Sequence, residues 1–163
     1  MHQVYLAILE KEISENEIFY VASELLQEDF IKGDEVEEGY AITDSLGDYL
    51  VIGGRYYNIL ITEEESEKAR KEEKEIERLI VSKKRYGNDV MNKTYASMTA
   101  ENEMCRKYAC RRIDKNIYDK ICHVKKQYSD LTFLDYVHEK ITDKTPSFKS
   151  IKGHWAVIVD VHS

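Results

Sequence analysis

Two segments of the chain alternate so that neither side is polar. From Val4 to Leu9, the residues Val4, Leu6 and Ile8 fall on one side and Tyr5, Ala7 and Leu9 on the other. A strand apolar on both faces belongs in the middle of a sheet, with cover on each side. At the other end of the chain, Trp155, Val157, Val159 and Val161 point one way and Ala156, Ile158, Asp160 and His162 the other. Between these two strands the period changes. Ile18, Val21, Ala22, Leu25 and Leu26 form the stripe of an amphipathic helix starting near Glu15. Ser14 to Glu17 reads as a capping box, and Ile13 with Ile18 has the spacing of a hydrophobic staple.

Further along, 33–38 reads as an acidic loop, 40–43 as a short edge strand and 44–47 as a turn. A Tyr/Leu/Val/Ile run from Tyr49 to Ile61 predicts a strand interrupted by Gly53-Gly54. Thr62 to Glu65 is a second capping box, opening a charged helix that ends near Arg85. Its apolar positions, Ala69, Ile76, Leu79 and Ile80, are so sparse in the first half that this half is expected to project into solvent. A long helix follows from about Ala100 to Tyr128, capped by Thr99, with Ile113, Ile117, Ile121, Val124 and Tyr128 on one face. Leu131 to Ile141 reads as one more short helix.

This order predicts an α+β fold of ferredoxin-like sandwich type. Its mostly antiparallel sheet would be covered on its apolar face by the helices starting near Glu15 and Ala100. The expected organisation is a single domain over 1–163, with 63–145 as a helical elaboration before the last strand.

Composition narrows the class. Apolar residues make up 42%, enough for a core, and charged residues 34%, which fits long solvated helices. One proline and seven glycines argue against linkers and low complexity. No run reaches the roughly 18 apolar residues of a membrane span. The first ten residues have neither a basic leader nor a small-residue cleavage site, so a cytoplasmic location is expected. Cys105, Cys110 and Cys122 are an odd number and fit reduced thiols. Zinc would have to combine them with His123, without a second close pair of ligands, so no metal or cofactor is expected.

The net charge of −7 is unevenly spread. Residues 1–62 carry 3 Lys/Arg against 13 Asp/Glu, and residues 68–128 carry 17 against 9. A solvated helical face accounts for the basic part, and an overall pI near 5.3 argues against non-specific nucleic-acid binding.

Candidate chemistry gathers at two places. Two glycines inside a strand pattern mark a bulge or sharp turn where something approaches the backbone, and Arg55 follows them at once. A guanidinium beside exposed N–H groups suits an anion. Tyr56 and Tyr57 could stack on a ring. Asp160 and His162 share a face, so the carboxylate can orient the imidazole or hold it protonated. His123 and His138, on presumed helices without spaced partners, read as surface residues. The chain carries no Walker loop, H-E-x-x-H, G-x-S-x-G or dinucleotide fingerprint.

The segment Tyr49 to Tyr56, with its Gly-Gly-Arg-aromatic core, and the segment Val159-Asp160-Val161-His162 resemble a group of small bacteriophage and prophage proteins without an assigned function. That group usually has tryptophan where this chain has Tyr56 and often cysteine where it has Val161. The resemblance covers about twenty of the 163 residues and leaves out the long helical region. It implies a phage-type accessory protein acting in the host cytoplasm, in which Arg55, Asp160 and His162 matter jointly.

Two functions follow as expectations. The first is a non-enzymatic protein that binds a host protein or a nucleotide-like anionic ligand, as an anti-defence inhibitor or sponge, through Gly53, Gly54, Arg55, Tyr56, Asp160 and His162. The alternative is a small phosphodiesterase or nuclease-like enzyme with His162 as acid or base, Arg55 as phosphate clamp and Asp160 as orienter. A two-histidine mechanism would need His2 or His154 to converge on His162. A plainer possibility is an interaction module whose helices form a homo-oligomer.

Overall fold

The computed structural model describes residues 1–31, 49–83 and 87–162. In chain order these form β1 (His2–Leu9), α1 (Ile18–Ile31), β2 (Tyr49–Ile52), a 3-10 turn (Gly54–Tyr56), α2 (Glu63–Ser82) and α3 (Asp89–Tyr108). There follow β3 (Cys110–Arg112), α4 (Lys115–Gln127), β4 (Thr132–Asp135), β5 (Lys140–Thr142), α5 (Phe148–Ile151) and β6 (Trp155–His162). The positions predicted as a loop (33–38), an edge strand (40–43) and a turn (44–47) lie outside the described residues.

The fold is α+β, built on one mixed six-stranded sheet in the order β2-β6-β1-β4-β5, with β3 also paired to β6. Four pairings are antiparallel, and β1 with β4 is parallel. The doubly apolar first and last strands pair along their full length, from His2 opposite His162 to Leu9 opposite Trp155. β1 occupies one edge of β6, so β2 and β3 share the other, β2 against residues 159–162 and β3 against 155–157. Ile158 marks the handover. Its carbonyl accepts from Gly53 N–H at 2.8 Å, and its own N–H donates to Ala109 O at 2.9 Å.

Alternation sorts the sheet residues into two cores. Tyr5, Ala7, Leu9, Val157, Val159 and Val161 pack with Ile18, Ala22 and Leu26 of α1. Val4, Leu6, Ile8, Ala156, Ile158 and Phe133 pack with Ile117, Ile121 and Val124 of α4 on the opposite face. Helices therefore cover both faces, where the ferredoxin-like plan expected cover on one. The two-sided apolar pattern of β1 and β6 already demands this, because a single helical layer would leave half of those residues in water.

Three stretches differ from the sequence expectation. The strand expected to run to Ile61 stops at Ile52, and the chain turns through positive φ at Gly53 (80°) and Gly54 (53°). The single helix expected from Ala100 to Tyr128 is two helices separated by β3. Ala109 is fully buried at the break, and Asp114 restarts the helix by accepting from Ile117 N–H at 2.8 Å. Thr99, the expected cap, lies inside α3, whose own cap is Asn88, accepting from Met91 N–H at 2.8 Å. The helix expected over 131–141 is the β4–β5 hairpin. The buried Asp135 carboxylate builds its turn, accepting from Val137 N–H at 3.1 Å and His138 N–H at 3.0 Å and pairing with His138 Nδ1 at 2.7 Å. The 63–145 segment is thus not purely helical: β3, β4 and β5 all lie within it and join the sheet.

The first half of α2 does not project. It lies against α3, with Ala69 buried against Met104 and Tyr108, and is also tied by polar contacts that an apolar pattern cannot reveal: Glu65 with Arg111 of β3 at 2.6 Å, Glu72 with Lys107 of α3, and Glu73 with the Tyr57 hydroxyl at 2.8 Å. The expected capping box is present, with Thr62 N–H donating to Glu65 Oε1 at 3.1 Å. Burial alone would raise the Glu65 carboxyl, but the Arg111 guanidinium and the Thr62 N–H and hydroxyl outweigh it and hold the carboxyl below the ordinary glutamate value. A carboxyl depressed in the folded chain contributes stability above its unfolded value of about 4.3 and loses it as pH falls through the folded one. Glu65→Gln is therefore expected to cost about 1 kcal/mol at neutral pH and progressively less below about pH 4, read from urea melts. An equal cost at both ends of that range would remove the Glu65–Arg111 pair from the account of how α2 docks.

Candidate functional site

The site grows from the register of β1, β6 and β2. His2 lies directly opposite His162, and Asp160 has Val4 on one side and Val51 on the other. The period of two puts Asp160 and His162 on the α4 face, one step beyond Ile158, so the buried core ends in polar residues at this edge of the sheet. The two imidazole rings meet edge to face, 5.0 Å between centroids with 74° between planes. His2 Nδ1 lies 2.8 Å from Asp160 Oδ1. A carboxylate can only accept, so Nδ1 carries the proton and Nε2 is left to take up a proton or, in the imidazolium, to donate one.

The second carboxylate oxygen, Asp160 Oδ2, accepts from Arg55 main-chain N–H at 2.9 Å. This contact requires Gly54. A Cβ there would fall 2.5 Å from Oδ2 and 2.6 Å from Asp160 Cβ. At Gly53 a Cβ would fall 2.8 Å from Cys105 Sγ. The two glycines thus do separate jobs: the first lets α3 close on the turn and the second admits the carboxylate. Asp160 is only 5% exposed, and its charge is met by the His2 N–H and the Arg55 amide together.

The expected partnership of Arg55 with Asp160 runs through the backbone. The guanidinium itself is exposed and makes no ion pair among the described residues. Tyr56 packs on the α4-side core, edge to face with Tyr128 at 5.7 Å. Burial raises its hydroxyl pKa, the Asp160 carboxylate adds to the rise, and Arg55 opposes it. Tyr57 points away, toward Glu73 of α2. Gly53, Gly54, Arg55, Tyr56, Asp160 and His162 therefore come together, and His2 joins them. His154, the other histidine considered, lies just before the far end of β6, roughly 26 Å from His162 at the strand rise of about 3.3 Å per residue.

Glu101 on α3 was not signalled by the sequence. It precedes Cys105 by one helical turn on the face turned toward Gly53. Burial raises its carboxyl pKa, and the carboxylates of Glu73 and Asp160 raise it further. A pattern search could not find it, because its place depends on how α3 docks against the glycine turn.

Two of the three cysteines, Cys105 and Cys110, are buried and chemically quiet. Burial pushes the Cys105 thiol up to about 11 and the Cys110 thiol up to about 12. Among the described residues, no group of three or more His, Cys, Asp or Glu side chains is placed to hold a metal ion. His138 belongs to the hairpin turn rather than to a helix, and His123 borders an open hollow of about 350 Å³ with Glu63, Glu64 and Lys120. A second hollow, of about 280 Å³, lies beside Tyr57, Glu73 and Met104. Both are lined by mixed charges and residues away from the histidine pair, so the case for the site rests on side-chain chemistry rather than on concavity. No helix among the described residues is long and apolar enough to cross a membrane. No protein-family model, curated protein or solved structure matches the chain.

Proposed function

We propose that the protein binds a nucleotide-like anionic ligand at the end of the sheet, as a phage-type accessory protein that sequesters it in the host cytoplasm. The observation that carries this reading is one buried carboxylate, that of Asp160, fixing both a histidine side chain and the amide of Arg55 while the guanidinium stays exposed. His2 Nδ1–H and the Arg55 amide are spent on Asp160, so what the arrangement fixes in advance is the orientation of the His2 ring and the backbone from which the Arg55 side chain leaves, which lowers the cost of ordering them on binding. The Gly-Gly-Arg and Val-Asp-x-His segments that carry the phage resemblance are the segments meeting here. Isothermal titration with the nucleoside 5′-monophosphates and inorganic phosphate tests the reading. Arg55→Gln, His2→Gln and His162→Gln are each expected to weaken binding about tenfold, equivalent to about 1.4 kcal/mol. Arg55→Gln should also leave the thermal melt unchanged. No binding by the wild type, or binding by all three variants as tight as the wild type's, defeats the proposal.

A second reading gains weight from His2. An imidazole whose Nδ1–H is held by a carboxylate is oriented for proton transfer at Nε2, and a second imidazole stands 5.0 Å away. Here the protein is a small phosphodiesterase, with His2 and His162 exchanging protons with the ligand and Arg55 holding the phosphate. Incubation with RNA dinucleotides and cyclic nucleotides separates the readings, since sequestration returns the ligand intact. A host protein retained in place of any small anion would shift the proposal to an inhibitor.

A further inference from the structure

We infer that the hollow beside Tyr57 binds a small free organic cation, a primary ammonium on a short apolar stem, with Glu73 as its counter-ion. This site is separate from the histidine pair and stands or falls independently of the anion-binding reading. The hollow lies between the chain leaving the glycine turn, residues 57–61, and the first half of α2. Its volume of about 280 Å³ is near the lower end of the range for small-molecule sites, about 300–1,000 Å³, so its occupant is small. The floor is apolar. Met104 and Ala69 are buried there, with Tyr57 and Ile61 packed against them.

One charged group on this lining has no counter-ion. Glu73 is half-buried, and its Oε1 accepts from the Tyr57 hydroxyl at 2.8 Å. Burial and the Glu73 carboxylate both raise the Tyr57 pKa, so the hydroxyl keeps its proton and remains the donor. Glu73 Oε2 takes no hydrogen bond, and Glu73 forms no ion pair, among the described residues. The other glutamates from 65 to 75 are all paired: Glu65 with Arg111, Glu67 with Arg70 and Lys71, Glu72 with Lys68 and Lys107, and Glu75 with Arg78. Arg70 also borders the hollow, but its guanidinium is held by Glu67 at 2.9 Å on the exposed side of the helix. A carboxylate drawn partly out of water gains from a cation beside it. An ammonium offers three donors and no acceptor, which suits an oxygen that can only accept. The apolar stem would then cover Met104 and Ala69, which a bare ammonium ion cannot do. An anion at the same place would face the Glu73 carboxylate directly.

The test titrates n-butylammonium into the full chain and follows isotope-labelled methionine methyl groups by NMR. Met104 lines the hollow and Met91 and Met98 do not, so the Met104 methyl is expected to shift while those two stay in place. Ammonium chloride and n-butanol, each lacking one half of the chemistry, are expected to bind more weakly by about tenfold. Glu73→Gln, which keeps the shape and the acceptor for Tyr57, is expected to weaken n-butylammonium by about tenfold. Ser66 is exposed at the rim, and Ser66→Leu fills the hollow from there. It should weaken binding as much with an unchanged melt, so the result does not hang on how well Glu73→Gln folds. Affinity unchanged in either variant overturns the inference, as does a wild type that fails to bind n-butylammonium or prefers n-butanol. Tighter binding of Nα-acetyl-lysine N-methylamide would give the hollow to the lysine of a protein partner and overturn the assignment to a free amine.

Discussion

Gly54→Ala is expected to destabilise the protein by about 3 kcal/mol and to lower its melting temperature by about 6–12 °C. Two separate terms contribute. The backbone at Gly54 has φ of 53°, a conformation that costs an L-residue about 1–2 kcal/mol. The new methyl would also stand 2.5 Å from Asp160 Oδ2, in a region where Asp160 is bonded on both oxygens and cannot swing aside without breaking a contact. A double-mutant cycle separates the terms. Asp160→Ala alone removes the acceptor of the Arg55 amide and of His2, at about 2 kcal/mol. In that background the contact with the carboxylate is gone, while the 2.6 Å contact with the Cβ of residue 160 and the backbone strain remain, so the two changes should couple by about 0.5–1 kcal/mol. Simple additivity in chemical melts would mean that Gly54 and Asp160 are not in the contact described.

The same pair shows how far the sequence could be read. Asp160 and His162 on one face follow from strict alternation in β6, and the two glycines announce a close approach without saying of what. The identity of the approaching group depends on β2 pairing with β6, a contact between residues more than a hundred positions apart. His2 is the clearer case. Its neighbours in sequence carry no chemistry, and it becomes part of a site only through the register that sets it opposite His162. Elements with dense local signals were legible: the α1 stripe, the Thr62 capping box and the doubly apolar strands. β3 has three residues between two helices, and its extended conformation is fixed by hydrogen bonding to β6 rather than by local preference. The docking of α2 was hidden for a different reason. Besides Ala69 and Ile76, which the apolar pattern did mark, it uses Glu65, Glu72 and Glu73, which a hydrophobic pattern scores as solvent-facing.

Phe133→Ala is expected to cost about 4 kcal/mol, the largest single effect among these substitutions, and it bears on the segment where sequence and structure differ most. Over 131–141 a helical reading places Phe133, Val137 and Ile141 on one face, at positions i, i+4 and i+8. Truncating Phe133 or Ile141 would then open comparable cavities. In the hairpin the two are unlike. Phe133 is fully buried in the α4-side core, paired in register with Leu6 across the parallel β1–β4 contact. Ile141 lies on the edge strand and is 42% exposed. Ile141→Ala should therefore cost less than about 1 kcal/mol. The disparity, measured by denaturant melts of the two variants, follows from the strand pairing and from nothing in the local pattern. It also reaches the site. Phe133 and Leu6 belong to the core layer from which Asp160 and His2 extend, so the Phe133→Ala cavity should loosen the β1–β6 edge holding the two imidazoles. Histidine ring resonances that shift in Phe133→Ala but not in Ile141→Ala are the expected signature. Equal costs for the two substitutions would restore the helix and dissolve the β1–β4 pairing.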